Sequence, residues 1–500
     1  MKSSGGAGGA KILVANRSEI ACRVFQTARE MGIRTVGIFA PGDEEARHLT
    51  FADEVHPVAS YLDVGAVVEA AVKSKATMVH PGYGFLSERP VLPQGLEKAG
   101  ITFLGPRPET MEALGGKIAA KELAEKSGVP TLPWAKVPKG GDLKAAAKKV
   151  GFPLLLKAAA GGGGKGMRKV TQEKDLESAA ESASAEAISS FGDGTLFIEK
   201  LVEKPRHIEV QVFGDGHGGA VHLYERECTL QRRHQKVWEE ARAPHLSEKT
   251  REGLFKAALA LSQAVKYRSA GTLEFLVDDD GSFYFLEMNT RLQVEHPVTE
   301  LVTGVDLVRA MIQLGLDPSK SPLKETPTAR GHAIEVRLYA EDAAQGFMPT
   351  PGKIEKIRWP MGPGIRVDSG IEEGQTIGTS FDSMLGKLIV SAETREWAVA
   401  KMQVALDDLV ILGMGHNQPY LQAIGRHPDV IAGKVDTHFL ERVLGGFDGT
   451  PSKEELALAV AFRQAGLARA GAGSAGHTPG CGAAAFASPW FAGGANKGAI

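Results

Sequence analysis

The chain has 500 residues, of which 43% are hydrophobic and 24% are charged, and its formal net charge at pH 7 is −2. This composition is typical of a soluble globular protein, and the length predicts roughly three or four domain-sized units. The near-zero charge argues against the strongly basic surface of a nucleic-acid-binding protein. No run approaches the roughly 18 consecutive apolar residues of a membrane span, so neither a nucleic acid nor a membrane is expected as a partner.

The cysteines and the N-terminus predict a cytoplasmic location. Cys22, Cys228 and Cys481 lie far apart and are odd in number, so they fit neither a disulfide framework nor a zinc site. The first residues, MKSSGGAGGA, lack the apolar core of a secretory signal. We interpret residues 1–10 as a disordered leader.

Residues 11–115 predict a doubly wound α/β domain. The apolar run KILVAN is followed by a helix that Ser18 can cap and Gly32 can end, and then by the strand TVGIFA. Two strands joined by a helix form the βαβ unit of a parallel sheet, and ATMVH and ITFLG extend it. The first turn lacks the GxGxxG fingerprint, so a dinucleotide is not expected there.

The stretch KAAAGGGGKGM, Lys157–Met167, predicts a loop over phosphates. Strand-like segments flank the four glycines, and a lysine stands on each side of them. Glycines let backbone N–H groups approach a phosphate without a Cβ in the way. We therefore expect the turn of a β-hairpin rather than a linker between domains.

The segment TLEFLVDDDGSFYFLEMN predicts a hairpin that carries a metal site. A four-residue turn, Asp278–Gly281, would put Glu274 opposite Phe285. Glu287 would then share a face with Glu274, diagonally across the strands at about 7–8 Å, and Asn289 would point the same way. Such oxygen ligands suit Mg²⁺, while a solvated acidic face is the alternative.

Two further segments carry charges suited to anion chemistry. In RLQVEHPVTE, an extended chain places Arg291, Gln293 and Glu295 on one side. An arginine fork binds planar oxyanions, and a neighbouring carboxylate can act as general base; a surface ion pair is the alternative. Arg337 lies in an apolar strand, where it needs an anionic partner.

A basic segment, LQRRHQKVWEE, places four basic side chains within five positions. These are Arg232, Arg233, His234 and Lys236. With the net charge near zero, this concentration predicts a site for a local anion, although a solvated basic face fits the same pattern.

Seven motifs in order strongly resemble those of biotin carboxylase, the ATP-grasp component of biotin-dependent carboxylases. They are VANRSEIACRV, HPGYGFLSE, KAAAGGGGKGMR, ERECTLQRRHQKVWEEA, FLEMNTRLQVEHPVTE, GHAIEVRLYAED and FDSMLGKLI, and they fall within residues 11–445. Among relatives, the chain is similar to the N-terminal part of an acyl-CoA carboxylase α-subunit, which links it to fatty acid metabolism. The Met-Lys-Met motif that carries biotin is not found in the sequence.

The resemblance implies an α/β fold in which an ATP-grasp core follows the doubly wound domain and precedes a β-rich C-terminal domain. It assigns residues 116–328 to the ATP-grasp domain, with a mobile lid over about residues 130–203, and residues 329–445 to the C-terminal domain. Residues 446–500 are expected to form a helix and a flexible Gly/Ala-rich tail.

The resemblance also implies ATP, bicarbonate and biotin as substrates, and Mg²⁺ or Mn²⁺ as the metal. The nucleotide is expected to contact Lys117, Lys157, Gly163, Gly164, Glu199, Lys200, Leu201, Val202, His207, His234, Glu274 and Glu287. The metal ligands would be Glu274, Glu287 and Asn289, and the bicarbonate pocket would be formed by Lys236, Arg291, Gln293 and Val294. Glu295 would be the base, and Arg337 would face biotin.

The implied reaction is the carboxylation of biotin at N1′ through carboxyphosphate. Its expected partners are a biotin carboxyl carrier protein or domain, a carboxyltransferase subunit and a second copy of the chain in a homodimer. The sequence leaves two other hypotheses open. One is another bicarbonate-activating ATP-grasp ligase, such as a carboxyaminoimidazole ribonucleotide synthase, and the other is an inactive ATP-binding scaffold subunit.

Four positions depart from the family pattern. Ser18 replaces a glycine, Arg89 an asparagine and Gly116 an aspartate, and EEARAP replaces a more proline-rich EEAPAP. None of these changes removes a proposed catalytic group. Because serine tolerates positive φ less well than glycine, Ser18 is expected to strain a tight turn.

Overall fold

The computed structural model describes residues 9–137, 142–159 and 166–449, together with residues 453, 457, 460 and 461. Most of the predicted leader, Gly163 and Gly164 of the predicted phosphate loop, and the predicted tail after residue 461 lie outside these residues. The chain divides into two units, residues 1–448 and 449–500. In the second unit, residues 453, 457, 460 and 461 are helical.

The first part of the chain forms a parallel sheet of five strands in the order β3-β2-β1-β4-β5. The strands are β1 (Lys11–Val14), β2 (Arg34–Phe39), β3 (Glu54–Pro57), β4 (Met78–His80) and β5 (Thr102–Phe103). The helices are α1 (Ser18–Glu30), α2 (Val64–Lys73), α3 (Val91–Lys98) and α4 (Pro108–Gly115). The predicted βαβ arrangement and its parallel sheet are confirmed.

Helix α1 begins differently from the prediction. Arg17 occupies the N-cap position, Ser18 is the first helical residue, and no side chain caps the helix. The predicted capping by Ser18 is therefore wrong, because the helix starts one residue too early for its hydroxyl to reach the free N–H groups. Ser18 instead has φ of +58°, the left-handed conformation that favours the glycine it replaces.

An antiparallel sheet of four strands follows, in the order β6-β9-β7-β8. Its elements, with the helix that precedes it, are α5 (Lys117–Lys126), β6 (Trp134–Val137), α6 (Leu143–Val150), β7 (Leu154–Ala158), β8 (Met167–Val170), α7 (Leu176–Phe191) and β9 (Leu196–Lys200). Leu154 of β7 pairs with Val170 of β8, and Lys157 pairs with Met167. The two strands predicted on either side of the glycine loop thus do form a hairpin.

The largest sheet has eight strands in the order β14-β13-β10-β11-β12-β15-β22-β20. Its first strands and their helices are β10 (Arg206–Asp215), β11 (Ala220–Arg232), β12 (Gln235–Ala241), α8 (Glu248–Ala264), β13 (Arg268–Val277), β14 (Phe283–Asn289), α9 (His296–Thr303) and α10 (Leu307–Leu316). Because β12 pairs with β15, this sheet extends across residue 328, the predicted boundary between the ATP-grasp domain and the C-terminal domain.

The remaining elements are mostly short strands followed by helices. They are β15 (His332–Tyr339), β16 (Glu341–Asp342), β17 (Met348–Pro349), β18 (Gly352–Lys353), β19 (Lys356–Arg358), β20 (Ile365–Ser369), β21 (Thr376–Ile377), β22 (Met384–Ala392), α11 (Arg395–Asp408), β23 (Val410–Leu412), α12 (Gln418–Arg426), α13 (Pro428–Ile431) and α14 (Phe439–Leu444). The predicted β-rich character of this region is confirmed. None of the helices within the described ranges has the length and hydropathy needed to cross a bilayer.

Alternation along the central strands separates the core from a polar face. In β10, Ile208, Val210 and Val212 join the core beneath α8, so Glu209 and Gln211 point to the opposite face. In β12 and β15, Trp238 and Val336 pack into a second core that includes residues of α11 and α12. The polar face of these strands carries most of the charged residues discussed below.

The β13–β14 hairpin differs from the predicted register. Val277 pairs with Phe283 rather than Ser282, so the connection has five residues instead of four. A bulge between Glu274 and Phe275 then shifts the register again and puts Glu274 directly opposite Glu287. The predicted sharing of a face by the two carboxylates is confirmed, although the predicted pairing of Glu274 with Phe285 is wrong.

Replacing Ser18 with glycine is expected to stabilise the protein. A non-glycine residue in the left-handed region costs about 1–2 kcal/mol, and glycine loses about 0.5–1 kcal/mol more on folding. We expect Ser18→Gly to raise the free energy of unfolding by about 1 kcal/mol in urea denaturation. Ser18→Ala, which keeps the Cβ, is the matched control; an equal gain from both variants would contradict the argument.

Candidate active site

A row of charged residues crosses four neighbouring strands of the large sheet. Arg226 of β11 pairs with Glu209 of β10, Glu209 pairs with Glu274 of β13, and Glu274 pairs with Glu287 of β14. Residues directly opposite each other in a sheet point to the same face. Strand pairing therefore brings residues 226, 209, 274 and 287 onto one face, although they lie far apart in sequence.

Lys236 lies at the centre of this face and contacts three carboxylates. Its Nζ is 2.6 Å from Glu209 Oε2, 2.9 Å from Glu274 Oε1 and 2.6 Å from Glu295 Oε1. All three carboxylates are buried. Burial alone would lower the pKa of Lys236, but the three carboxylates raise it well above its ordinary value. The lysine is therefore a permanent cation.

Arg226 connects several side chains of this cluster through hydrogen bonds. It is fully buried, and its guanidinium donates to Glu209 and to the side-chain oxygens of Gln211, Thr272, Gln293 and Thr299. The donors of an arginine fork are thus distributed over several strands and the helix α9. Because Gln293 also donates to Glu274 Oε1 at 2.8 Å, Arg226 connects the predicted anion segment to the sheet.

Glu295 is the N-cap residue of α9 and is only 1% exposed. Besides Lys236, it accepts from Arg337 Nη2 at 3.0 Å. Burial alone would raise the pKa of Glu295, but Lys236, Arg337 and Arg226 outweigh burial and hold that pKa well below its usual range. Glu295 is therefore an ionised carboxylate held by two cations at neutral pH.

Arg337 is itself fixed by a second carboxylate. Its Nε donates to Glu239 Oε1 at 2.6 Å, and Glu239 lies opposite Glu335 in the pairing of β12 with β15. Burial, opposed by Arg337 and assisted by Glu295, raises the pKa of Glu239 to about 7. The anionic partner that the sequence predicted for Arg337 is thus a pair, Glu239 and Glu295.

The predicted anion-binding arginine lies at the rim of the cluster. Arg291 donates from Nε to Glu88 Oε2 at 2.9 Å and from Nη2 to Asn289 Oδ1 at 3.0 Å. Asn289 donates in turn to Glu274 Oε1 at 2.9 Å. Arg291, Gln293 and Glu295, which the sequence predicts on one side of an extended chain, all contact residues of the same charged cluster.

A second group of lysines surrounds Glu199 of β9. Glu199 Oε2 accepts from Lys157 Nζ at 2.5 Å, and Lys121 Nζ forms an ion pair with Glu199 Oε1. Lys117 begins α5, and burial lowers its pKa although Glu287 opposes the shift. The charges of Glu287 and Lys157 both influence Lys117, so the two lysines lie within electrostatic reach of each other and of the row of carboxylates.

Glu274, Glu287 and His207 have the chemistry of a cation site. Burial raises the pKa of Glu287, and the negative charge of Glu274 raises it further. His207 Nε2 lies 3.1 Å from Glu274 Oε2, and residues 207, 209 and 274 can bring ligand atoms within 4.8 Å of one another. Three donors reach Glu274 Oε1, from Lys236, Asn289 and Gln293, whereas among the described residues no donor to the carboxylate of Glu287 is found. Such a carboxylate pair fits a divalent cation.

The four basic residues predicted as one anion site are separated. Lys236 joins the carboxylates, whereas Arg232 forms an ion pair with Glu341 at 2.7 Å and lies over the ring of Phe347. Arg233 and His234 occupy the turn between β11 and β12, both with positive φ. The four basic side chains thus have different partners, and their joint role at a local anion stays a prediction.

Residues 199–202, which are expected to contact the nucleotide, lie at the end of β9 and directly after it. Lys200 Nζ donates to the carbonyl of Phe152 at 2.8 Å, while Leu201 and Val202 follow β9 and are partly exposed. Burial lowers the pKa of His234, and the charge of Lys157 lowers it further. His234 thus lies within electrostatic reach of the lysines near Glu199.

Several residues of the cluster were not predicted from the sequence. They are Glu88, Lys121, Glu209, Arg226, Glu239, Glu335 and Lys387. Glu209 and Gln211 could have been found from the alternating IEVQV of β10, where polar residues recur at every second position. Arg226 has no comparable local signal, since its partners come from four distant segments.

Arg226 is expected to be essential for stability. Replacing one member of a buried ion pair leaves its partner uncompensated, which costs about 3–5 kcal/mol. We expect Arg226→Met to lower the free energy of unfolding by that amount in urea denaturation. The matched control is Lys73→Met, which breaks the exposed Lys73–Glu69 pair and should cost less than about 1 kcal/mol. Similar losses in both variants would refute this role.

Three family models match the chain. They are the biotin carboxylase N-terminal domain over residues 9–111, the ATP-binding domain of the carbamoyl-phosphate synthase L chain over residues 116–322, and the biotin carboxylase C-terminal domain over residues 335–442. The three matches follow one another in the order of the predicted domains.

Curated relatives are similar over most of this chain. A biotin carboxylase of Pseudomonas aeruginosa is 43% identical over 87% of this chain and 98% of its own length. A propionyl-CoA carboxylase alpha chain of Ruegeria pomeroyi is 45% identical over 88% of this chain and 69% of its own length. For a methylcrotonoyl-CoA carboxylase subunit alpha of Dictyostelium discoideum, the matched share is 63% of that relative, so the chain spans only part of such subunits.

Solved structures match as well. A biotin carboxylase from Campylobacter jejuni, solved as a complex with β-γ-ATP, has a TM-score of 0.83 and 44% identity over 86% of this chain and 98% of its own. The biotin carboxylase domain of the Hydrogenobacter thermophilus 2-oxoglutarate carboxylase, solved with MgADP, ADP and bicarbonate, has a TM-score of 0.85 and 41% identity, covering 88% and 99% of the two chains. Together with the ATP-grasp fold and the charged cluster described above, these matches show that the chain belongs to the biotin carboxylase family.

Proposed function

We propose that this protein carboxylates biotin at N1′ with ATP and bicarbonate, through carboxyphosphate, as the first half-reaction of a biotin-dependent acyl-CoA carboxylase. The observation that supports this most directly is the buried carboxylate of Glu295, held between Lys236 and Arg337. A scaffold protein has no need for this costly arrangement of buried charges. The family membership supports the same conclusion.

Glu295 is proposed as the base that removes the proton of bicarbonate. It is ionised at neutral pH, which is the state that can accept a proton, although Lys236 and Arg337 hold its pKa low and so also reduce its affinity for that proton. Protonation would neutralise Glu295 and weaken its attraction to Lys236 and Arg337. Both cations would then be available to the negative charge that develops on the substrates.

The bicarbonate pocket is proposed to consist of Lys236, Arg291, Gln293 and Val294. These residues lie in one short segment or contact it. An arginine fork and an ammonium group match a planar anion. Fixed donors of this kind hold bicarbonate where the γ-phosphate of ATP can meet it, which supplies much of the rate through positioning.

The nucleotide is proposed to bind between the small sheet and the large sheet. Lys117 and Lys157 would contact its phosphates, while Glu199 limits the mobility of Lys157 through their ion pair. Gly163 and Gly164 are proposed to cover the phosphates, and residues of about 130–203 would form a lid. A closed lid would keep water away from carboxyphosphate, which water hydrolyses.

The metal would be held by Glu274, Glu287 and Asn289. The raised pKa of Glu287 and the lack of a donor to its carboxylate among the described residues fit a bound cation. A divalent cation supplies neutralisation of phosphate charge when it is bound. The chain's own contribution is to hold the two carboxylates opposite each other through the hairpin bulge.

Arg337 is proposed to face biotin and to stabilise the enolate-like oxygen that forms when the ureido group of biotin gives its proton to the phosphate released from carboxyphosphate. Glu239 holds the guanidinium in place through Nε, so the Nη groups keep a fixed direction. We also propose a homodimer, a biotin carboxyl carrier protein or domain, and a carboxyltransferase partner, which would select the acyl-CoA. The divisions at residues 115, 328 and 445 are proposed as domain boundaries.

The proposed function is tested by measuring ATP hydrolysis with and without bicarbonate and free biotin. We expect hydrolysis that needs bicarbonate and rises with biotin. Removing a general base costs about 10²–10⁴-fold, so Glu295→Gln and Arg337→Ala should each lose biotin-stimulated turnover by at least about 10²-fold. Glu69→Gln, a change at an exposed residue, should have no effect. A lack of stimulation by biotin in the native protein would contradict the proposal.

Metal binding is tested by thermal unfolding. Burial and the charge of Glu274 raise the pKa of Glu287, so the ionised carboxylate is unfavourable in the folded protein. The folded protein therefore loses stability as the pH rises above the ordinary titration range of a carboxyl group and Glu287 becomes ionised. Without metal at pH 8, Glu287→Gln should therefore raise the unfolding temperature, whereas added Mg²⁺ should stabilise the native protein more than the variant. Equal Mg²⁺-induced shifts in the two proteins would exclude Glu287 as a ligand.

A further inference from the structure

A lysine that the proposed mechanism does not use lies beneath the anion segment. Lys387 of β22 is 0% exposed and pairs with Arg337 of β15 on one side and Asp368 of β20 on the other. Its side chain therefore leaves the same face of the sheet as Arg337. A buried lysine carries a large desolvation cost unless specific partners compensate for it.

The partners of Lys387 come from three separate parts of the chain. Its Nζ donates to the main-chain carbonyl of Val294 at 2.7 Å, which is its shortest contact. Glu19 Oε2 of α1 lies at 3.5 Å and Asp368 Oδ2 at 3.8 Å. The direct hydrogen bond thus goes to the segment that carries Gln293 and Glu295, and the carboxylates contribute charge from greater distance.

The two carboxyl groups differ in what they contribute. Burial alone would raise the pKa of Asp368, but Arg366 and Lys387 hold that pKa at about 2. Asp368 is therefore an ionised counter-ion of Lys387 at neutral pH. Burial raises the pKa of Glu19 to about 7 despite Lys387, and within the described part of the chain no hydrogen-bond partner is found for either of its carboxylate oxygens. Burial alone would lower the pKa of Lys387, but the charges of Glu19, Glu335 and Asp368 together raise it, so Glu19 is one of several counter-charges of this lysine.

The carbonyl of Val294 has a direct influence on the site. Val294 lies between Gln293, which donates to Glu274, and Glu295, which accepts from Lys236 and Arg337. Rotation of the peptide group at Val294 would move both neighbouring side chains. The hydrogen bond from Lys387 to the carbonyl oxygen of Val294 opposes such a rotation, because the rotation would break it.

We propose that Lys387 is a positioning residue for bicarbonate, which holds the Gln293–Glu295 segment in its binding conformation through the Val294 carbonyl. This proposal rests on the proposed function. Lys387 would touch neither bicarbonate nor ATP, so its loss should weaken bicarbonate binding and leave nucleotide binding at the distant lysines unchanged.

The test uses steady-state ATP hydrolysis by the full chain, with bicarbonate and ATP varied separately. Since small misplacements of reacting groups cost up to about 10²-fold, Lys387→Met should raise KM for bicarbonate by at least about tenfold. KM for ATP should stay within about twofold. Glu19→Gln is the matched control, since it removes a carboxylate from the same cluster and keeps the lysine; its KM for bicarbonate should stay close to the native value.

A second variant guards against loss of the fold. Lys387→Met combined with Glu19→Gln removes the cation together with one neighbouring carboxyl, so less uncompensated charge is buried. It should show the same selective rise of KM for bicarbonate. An unchanged KM for bicarbonate, or an equal rise of both KM values, in a folded variant would overturn the positioning role. If the native protein itself shows no bicarbonate dependence, the proposed function fails instead.

Discussion

The ion cluster around Lys236 is the interaction on which the rest of this site depends. One buried ammonium group contacts Glu209, Glu274 and Glu295, and its charge offsets part of the cost of burying these three carboxylates. Glu274 belongs to the proposed metal site, and Glu295 is the proposed base. The same lysine therefore connects the metal ligands, the base and the anion pocket electrostatically, so that a change of charge in one affects the others.

The large sheet makes this cluster possible. Pairing from β11 to β14 aligns Arg226, Glu209, Glu274 and Glu287 in one transverse row, and β12 and β15 add Glu239 and Arg337 on the same sheet. Apolar side chains alternate with these charges and form the cores on the other face. Alternation along the strands therefore has two effects. The apolar side chains form the cores on one face of the sheet, and the charged side chains are directed to the opposite face.

Sequence reasoning succeeded where the signal was local. Alternation along the strands predicts that Glu274 and Glu287 share one face, and they do, although an extra turn residue and a bulge change the register and make the two residues directly opposite rather than diagonal. The need of Arg337 for an anion was likewise visible in its apolar strand. Lys387 and Arg226 could not be predicted in this way, because their partners come from distant segments and only the fold brings them together. In the basic run near Lys236, a turn gives neighbouring residues different partners, which the sequence pattern alone does not indicate.

The role of Lys236 is tested most directly by comparing bicarbonate-dependent ATP hydrolysis in the native protein and in Lys236→Met, with circular dichroism to verify that the variant is folded. If the ammonium group organises the carboxylates and binds the anion, the bicarbonate-dependent rate should fall by at least about 10²-fold. A folded Lys236→Met protein that keeps the native rate and the native KM for bicarbonate would contradict this account.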